Sequence, residues 1–129
     1  MRIAFVNPPL REFRFSRSQR SPGVIKSGTM YYPYWLAHAT ALAQSRGHEC
    51  LLLDCAADGI TPVEAVDRLS RFDPGLVIVE TSTPSINHDL EMVDLFGRAL
   101  PAAAVCATGT HVTACWKEAF AQSEELDYV

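Results

Sequence analysis

The chain has 129 residues, of which 48% are hydrophobic and 20% charged, and its formal net charge is −4. That length suits one domain with a real core, and the acidic balance argues against a general nucleic-acid binder. No apolar run approaches the roughly 20 residues of a membrane span, and the apolar start at Met1–Val6 is too short for a signal peptide, so a cytoplasmic protein is expected.

Arg2 to Val6 reads as a first strand, ended by Asn7-Pro8-Pro9 because proline cannot continue a central ladder. Residues 10–33 form a long irregular segment carrying Arg11, Arg14, Arg17, Arg20 and Lys26 against the acid Glu12. A loop of that length inside one domain is often functional or mobile. A helix follows Pro33 and runs to about Arg46, with Leu36, Ala39, Leu42 and Ala43 expected on its inner face and Gly47 as its C′ residue. Glu49 to Leu53 is a second strand that closes at Asp54. Thr61-Pro62-Val63-Glu64 has the form of a capping box with proline at the first helical position, so a second helix starts there, with Val63, Val66 and Leu69 as its expected buried stripe.

Gly75 to Val79 is an unbroken apolar run with β-branched residues, the mark of a strand buried on both faces. It ends at Glu80 and passes into three hydroxyl residues, Thr81, Ser82 and Thr83, before Pro84. A helix from about Ile86 to Leu100 is expected to turn Ile86, Leu90, Val93 and Leu100 inward, and Pro101 stops it. Ala102 to Ala107 is a fourth strand of small residues. Thr108-Gly109-Thr110-His111 then turns the chain into a helix carrying Trp116, Ala119 and Phe120. Leu126 to Val129 reads as a fifth strand, and its position without a covering helix suggests a fragment of a longer protein. Cys50, Cys55, Cys106 and Cys115 show no metal-finger spacing and read as small buried hydrophobes.

This alternation implies a Rossmann-like (flavodoxin-like) doubly wound α/β fold, with a five-stranded parallel sheet in the order 2-1-3-4-5 and helices on both faces. Its switch point lies between the first and third strands, where the loops beginning at Asn7, Thr81 and Gly109 meet. Ligands of such sheets sit at the carboxyl ends of the strands. Several familiar ligands are excluded by those loops. A dinucleotide site needs G-x-G-x-x-G after the first strand, and N-P-P-L stands there. No P-loop occurs. Asn7 and Thr81 occupy the places where a phosphate-accepting receiver domain carries acids. A flavodoxin puts its hydroxyl-rich loop after the first strand, whereas this chain has one after the third.

The pieces R-I-A-F-V-N-P-P, P-Y-W-L-A-H-A-T-A-L-A-Q-S-R-G-H-E-C-L-L-L-D, F-D-P-G-L-V-I-V-E-T-S-T-P-S, A-T-G-T-H-V-T and L-D-Y-V follow one another in an order and spacing that resembles the cobalamin-binding domain at the N-terminus of many radical-SAM enzymes. The resemblance covers essentially the whole chain. It implies a methyltransferase, or an oxidative cyclase of the anaerobic magnesium-protoporphyrin monomethyl ester type. SAM and a 4Fe–4S cluster would then belong to a downstream domain with a C-x-x-x-C-x-x-C motif, and this fragment alone would be inactive. It further implies a cofactor site drawn from Asn7, Pro8, Pro9, Thr81, Ser82, Thr83, Ser85, Gly109, Thr110, His111, Val112 and Thr113, with no protein ligand to a metal. The family's D-x-H-x-x-G loop is absent, because none of residues 1–37 is His. Ser82 and Gly109 match the later signature, a hydroxyl residue followed by a glycine pair, but Thr110 replaces the second glycine.

In that reading Thr81, Ser82 and Thr83 hydrogen-bond the cofactor's tail, Ala102–Ala104 and Ala107 leave room for it, and the helix start near Val112–Thr113 offers N–H groups. The plainer alternatives are helix N-capping for the hydroxyl run and an ordinary turn for Gly109. His111 reads as a loop residue or a corrin contact, and His38, His48 and His88 as surface or structural groups. Tyr31, Tyr32, Tyr34 and Trp35 suit core packing, a corrin face or a domain contact. A degenerate module serving as a scaffold, or a small phosphate binder, are the alternative functions.

Overall fold

The computed structural model describes residues 1–11, 15–17 and 29–129. Of the basic loop, Arg14, Arg20 and Lys26 therefore lie outside the described residues, as does Glu12. Four strands form the sheet: β1 (Arg2–Asn7), β2 (Glu49–Asp54), β3 (Leu76–Glu80) and β4 (Ala104–Thr108). They pair in parallel in the order β2-β1-β3-β4. The helices between them are α1 (Tyr34–Ser45), α2 (Cys55–Asp58), α3 (Pro62–Phe72) and α4 (Ile86–Ala99), and α5 (Thr110–Ala114) and α6 (Trp116–Gln122) follow β4.

Alternation along the strands divides the core into two. Ala4, Val6, Val77, Val79, Val105 and Ala107 point to one face, where Leu69 of α3 and Leu90, Val93 and Phe96 of α4 meet them. Burial of each such Val, Leu or Phe side chain stabilises the fold by roughly 1.5–3 kcal/mol. Ile3 and Phe5 point to the other face and pack with Leu36 of α1. Helices thus lie on both sides, as expected. The α1 side is the thinner: α1 packs on β1 and β2, and Leu76, Ile78, Ala104 and Cys106 are half-exposed on β3 and β4.

Local signals behave as the chemistry predicts at several ends. Thr61 and Glu64 form the reciprocal capping box, and the exposed Glu64 carboxyl is held below its ordinary range, first by the Thr61 backbone N–H and then by its hydroxyl. Gly47, at φ 81°, closes α1 with its N–H on Gln44 and that of His48 on Ala43, a Schellman arrangement. Two helices are rotated from expectation. Leu42 is 60% and Val63 79% exposed. The inner face of α1 runs through Leu36, Thr40 and Ala43, and that of α3 through Ala65 and Leu69 with Val66 half-buried. In each case the buried stripe includes small or polar residues, and a neighbouring aliphatic residue lies off it.

The expected fifth strand is corrected. Leu126–Val129 makes one isolated parallel bridge, Cys106 with Tyr128, so the order is 2-1-3-4 rather than 2-1-3-4-5. The Val105 N–H, which a fifth strand's carbonyl would accept, donates instead to the Asp127 carboxylate at 2.8 Å. Asp127 and Tyr128 both return their N–H groups to the Val105 carbonyl. A side chain thus takes one ladder position, and the register cannot propagate. Two further boundaries shift: β4 begins at Ala104, after a turn at Pro101 and Ala102, and the last helix is split by Cys115. All four cysteines are free; Cys55 is buried and the other three are half-buried. No helix among the described residues is long and apolar enough to cross a membrane.

Candidate functional site

Thr81 and Gly109 meet at the carboxyl ends of β3 and β4. The Thr81 N–H and hydroxyl both donate to the Thr108 carbonyl, at 2.8 and 3.0 Å. Gly109 then turns at φ 144°, and a Cβ there would lie 2.5 Å from the Thr81 carbonyl oxygen and 2.8 Å from its hydroxyl. The glycine is thus required by the approach of two loops of the protein itself. Glu80, buried, stands beside Thr108 in register.

Beside this junction lies a buried polar network. Ser82 presents its N–H, and Ser85 its hydroxyl, to one oxygen of Asp89, at 3.0 and 2.6 Å. The hydroxyls of Ser82 and Ser85 are 2.8 Å apart. Neither serine caps a helix with its side chain, so the capping alternative for the hydroxyl run does not describe them. The other Asp89 oxygen receives Nε and Nη2 of Arg17, at 3.1 and 2.7 Å, and both side chains are fully buried. Arg17 also donates to Asn7 Oδ1 at 2.8 Å and to the carbonyls of Pro8 and Pro9 at 2.7 and 3.3 Å. Asn7 in turn donates to Asp54 at the end of β2, at 2.7 Å. The same stretch is strapped to α4 by His88, whose Nε2 donates to the Pro9 carbonyl at 3.0 Å, and by an Arg11–Glu91 ion pair at 2.5 Å.

Two acidic groups here are shifted upward. Burial raises the Asp54 carboxyl above its ordinary range, against the pull of the Ala57 N–H and Asn7. The Cys55 thiol is pushed up to about 12, first by burial and then by Asp54 beside it, so it is no thiolate nucleophile at neutral pH. Among the described residues no cluster of His, Cys, Asp or Glu could hold a metal ion.

The expected site residues therefore separate. Asn7, Pro8, Pro9, Thr81, Ser82 and Val112 are buried, and Val112 belongs to the α4-side core. Ser85, Gly109 and His111 are half-buried, while Thr83, Thr110 and Thr113 are exposed, as is Thr108, which is not among the expected residues. The Thr113 N–H and hydroxyl both go to the Gly109 carbonyl. Of the small residues of the fourth strand, Ala107 is packed in the α4-side core, Ala103 lies against it and Ala102 is exposed; Ala104 is on the open α1 side. Tyr31, Tyr32, Tyr34 and Trp35 are 51–68% exposed, so core packing does not account for them, and Tyr34 touches both Trp35 and His38. Arg17 was legible only as one basic loop residue among several, and Asp89 only as a polar position in an amphipathic helix.

A family model described as a B12 binding domain matches residues 20–129. No curated protein and no solved structure matches the chain. Because the match spans most of its length, the chain belongs to the B12-binding domain family.

Proposed function

We propose that this domain binds cobalamin over the carboxyl ends of β3 and β4, as the corrinoid-holding part of a cobalamin-dependent radical-SAM enzyme. The observation that carries the reading is the Thr81–Thr108–Gly109 junction, with exposed hydroxyls at its rim and the half-exposed apolar face of β3 and β4 running away from it. Those residues fit a large amphipathic ligand. Thr83, Thr108 and Thr110 offer hydroxyls to amide, ribose or phosphate oxygens, and Leu76, Ile78, Ala104 and Cys106 offer an apolar wall. Gly109 and His111 lie half-buried beside them. The loop Asn7-Pro8-Pro9 holds no histidine, so it would offer no imidazole to the cofactor.

Bound cobalamin would supply methyl transfer or radical chemistry that side chains cannot. The chain's own part is to hold and orient it, and SAM with a 4Fe–4S cluster would be brought by a downstream domain for methylation or oxidative cyclisation. Alone, this domain would be inactive in that scheme. A scaffold module that binds no corrinoid is the second reading, favoured by the internal bonding of Thr81, Ser82 and Ser85. Gel filtration after mixing with hydroxocobalamin separates the two. Co-eluting colour with a base-off spectrum is expected; complete loss of colour from the protein peak overturns the first reading.

A further inference from the structure

We propose that Arg17 is a positioning residue for the ligand crevice, joining the loops after β1 and β3 through Asp89; this rests on the cobalamin reading above. One guanidinium holds Asn7 Oδ1 and the Pro8 and Pro9 carbonyls on one side and Asp89 on the other. Asp89 passes the constraint to the Ser82 N–H and the Ser85 hydroxyl, next to the Thr81–Gly109 junction. Through Asn7 it also reaches Asp54, so the ends of three strands are tied to a single cation. Arg17 lies outside the residues that the family model matches.

Stability alone does not call for such a pair. A buried ion pair can often be replaced by apolar side chains of similar volume with little loss, or with a gain, in stability. Methionine and leucine cannot, however, direct two proline carbonyls, an asparagine and a serine N–H into one arrangement. The fork of an arginine can, because its donors are planar and fixed. Preorganised loops bind more tightly because less order is left to impose on association.

The test compares wild type with the double variant R17M/D89L, and with R17K. Each is titrated with hydroxocobalamin, and amide hydrogen exchange is followed without ligand. The double variant is expected to fold, to bind about tenfold more weakly, the scale seen when supporting partners of a ligand site are lost, and to exchange the Ser82 amide faster while β1 and β3 stay protected. R17K keeps the charge but not the fork and should fall between. Wild-type affinity in the folded double variant overturns the proposal. If wild type itself binds no corrinoid, the cobalamin reading falls and only the ordering of the loops by Arg17 is decided, by exchange in R17K, which keeps the Asp89 acceptor: unchanged protection at Ser82 overturns that ordering, and faster exchange upholds it. If the double variant does not fold, R17K decides by the same readouts.

Discussion

Gly109 sits so close to Thr81 that the smallest side chain would place a carbon 2.5 Å from a backbone oxygen. Neither partner is the free end of a flexible side chain, so the overlap can be relieved only by separating the ends of β3 and β4.

Gly109→Ala should accordingly cost roughly 2–4 kcal/mol, combining an unfavourable positive φ with an overpacked contact. Urea denaturation measures it. A loss below about 0.5 kcal/mol, the range of an ordinary surface change, would mean that the two loops are not held together as described. The same variant should lose hydroxocobalamin binding.

Thr83 and Thr110 predict the opposite combination. Both are exposed, so T83A/T110A should change stability by no more than about 0.5 kcal/mol. If both hydroxyls touch the ligand, affinity for hydroxocobalamin should drop by about tenfold or more, each lost hydrogen bond being worth about 1 kcal/mol. Unchanged affinity would remove them from the site.

Asp54 and Glu64 should respond to pH with opposite signs. The folded-state value of Asp54 is raised, so its stabilising contribution is complete below its unfolded pKa, about 3.9, and is lost as pH rises through the folded value. Glu64 is lowered, so its contribution is present above its unfolded pKa and is lost as pH falls through the folded value. Urea midpoints across pH, compared between wild type, D54N and E64Q, resolve both. D54N should gain on wild type as pH rises towards neutrality, and E64Q should fall behind it. A reversed order in either pair would contradict the local geometry.

Gly97 allows α4 to meet the segment after α6, where a Cβ would lie 2.4 Å from Glu125 Cβ. That segment is also held by Asp94, which accepts the Ser123 hydroxyl and the Glu125 N–H. Gly97→Ala should therefore lift residues 123–128 from β4 at a cost of about 1–3 kcal/mol. Amide exchange should accelerate at Val105 and Ala107, whose N–H groups go to Asp127 and Tyr128. Preserved protection there would show that the segment tolerates the added methyl.

Much of this layout was legible in the amino-acid order because its causes are local. Apolar runs bounded by turn residues marked β1 to β3, Thr61 and Glu64 announced a helix start, and the Thr81 and Gly109 loops were placed together by topology. The misses have longer-range causes. Arg17 and Asp89 lie 72 residues apart and look like surface charges until the fold brings them together. Leu126–Val129 has the composition of a strand, yet the side chain of Asp127 occupies the position that would have carried the ladder onward. Leu42 and Val63 show that an apolar residue beside a stripe need not belong to it.

The half-exposed α1-side surface of β3 and β4 leaves hydrocarbon in contact with water beside the Thr81–Gly109 junction. Anything settling over Ile78 and Cys106 releases that hydration, and such desolvation lowers heat capacity. Calorimetric titrations repeated across temperatures would therefore register occupancy of this half-sheet as an enthalpy growing more negative with warming.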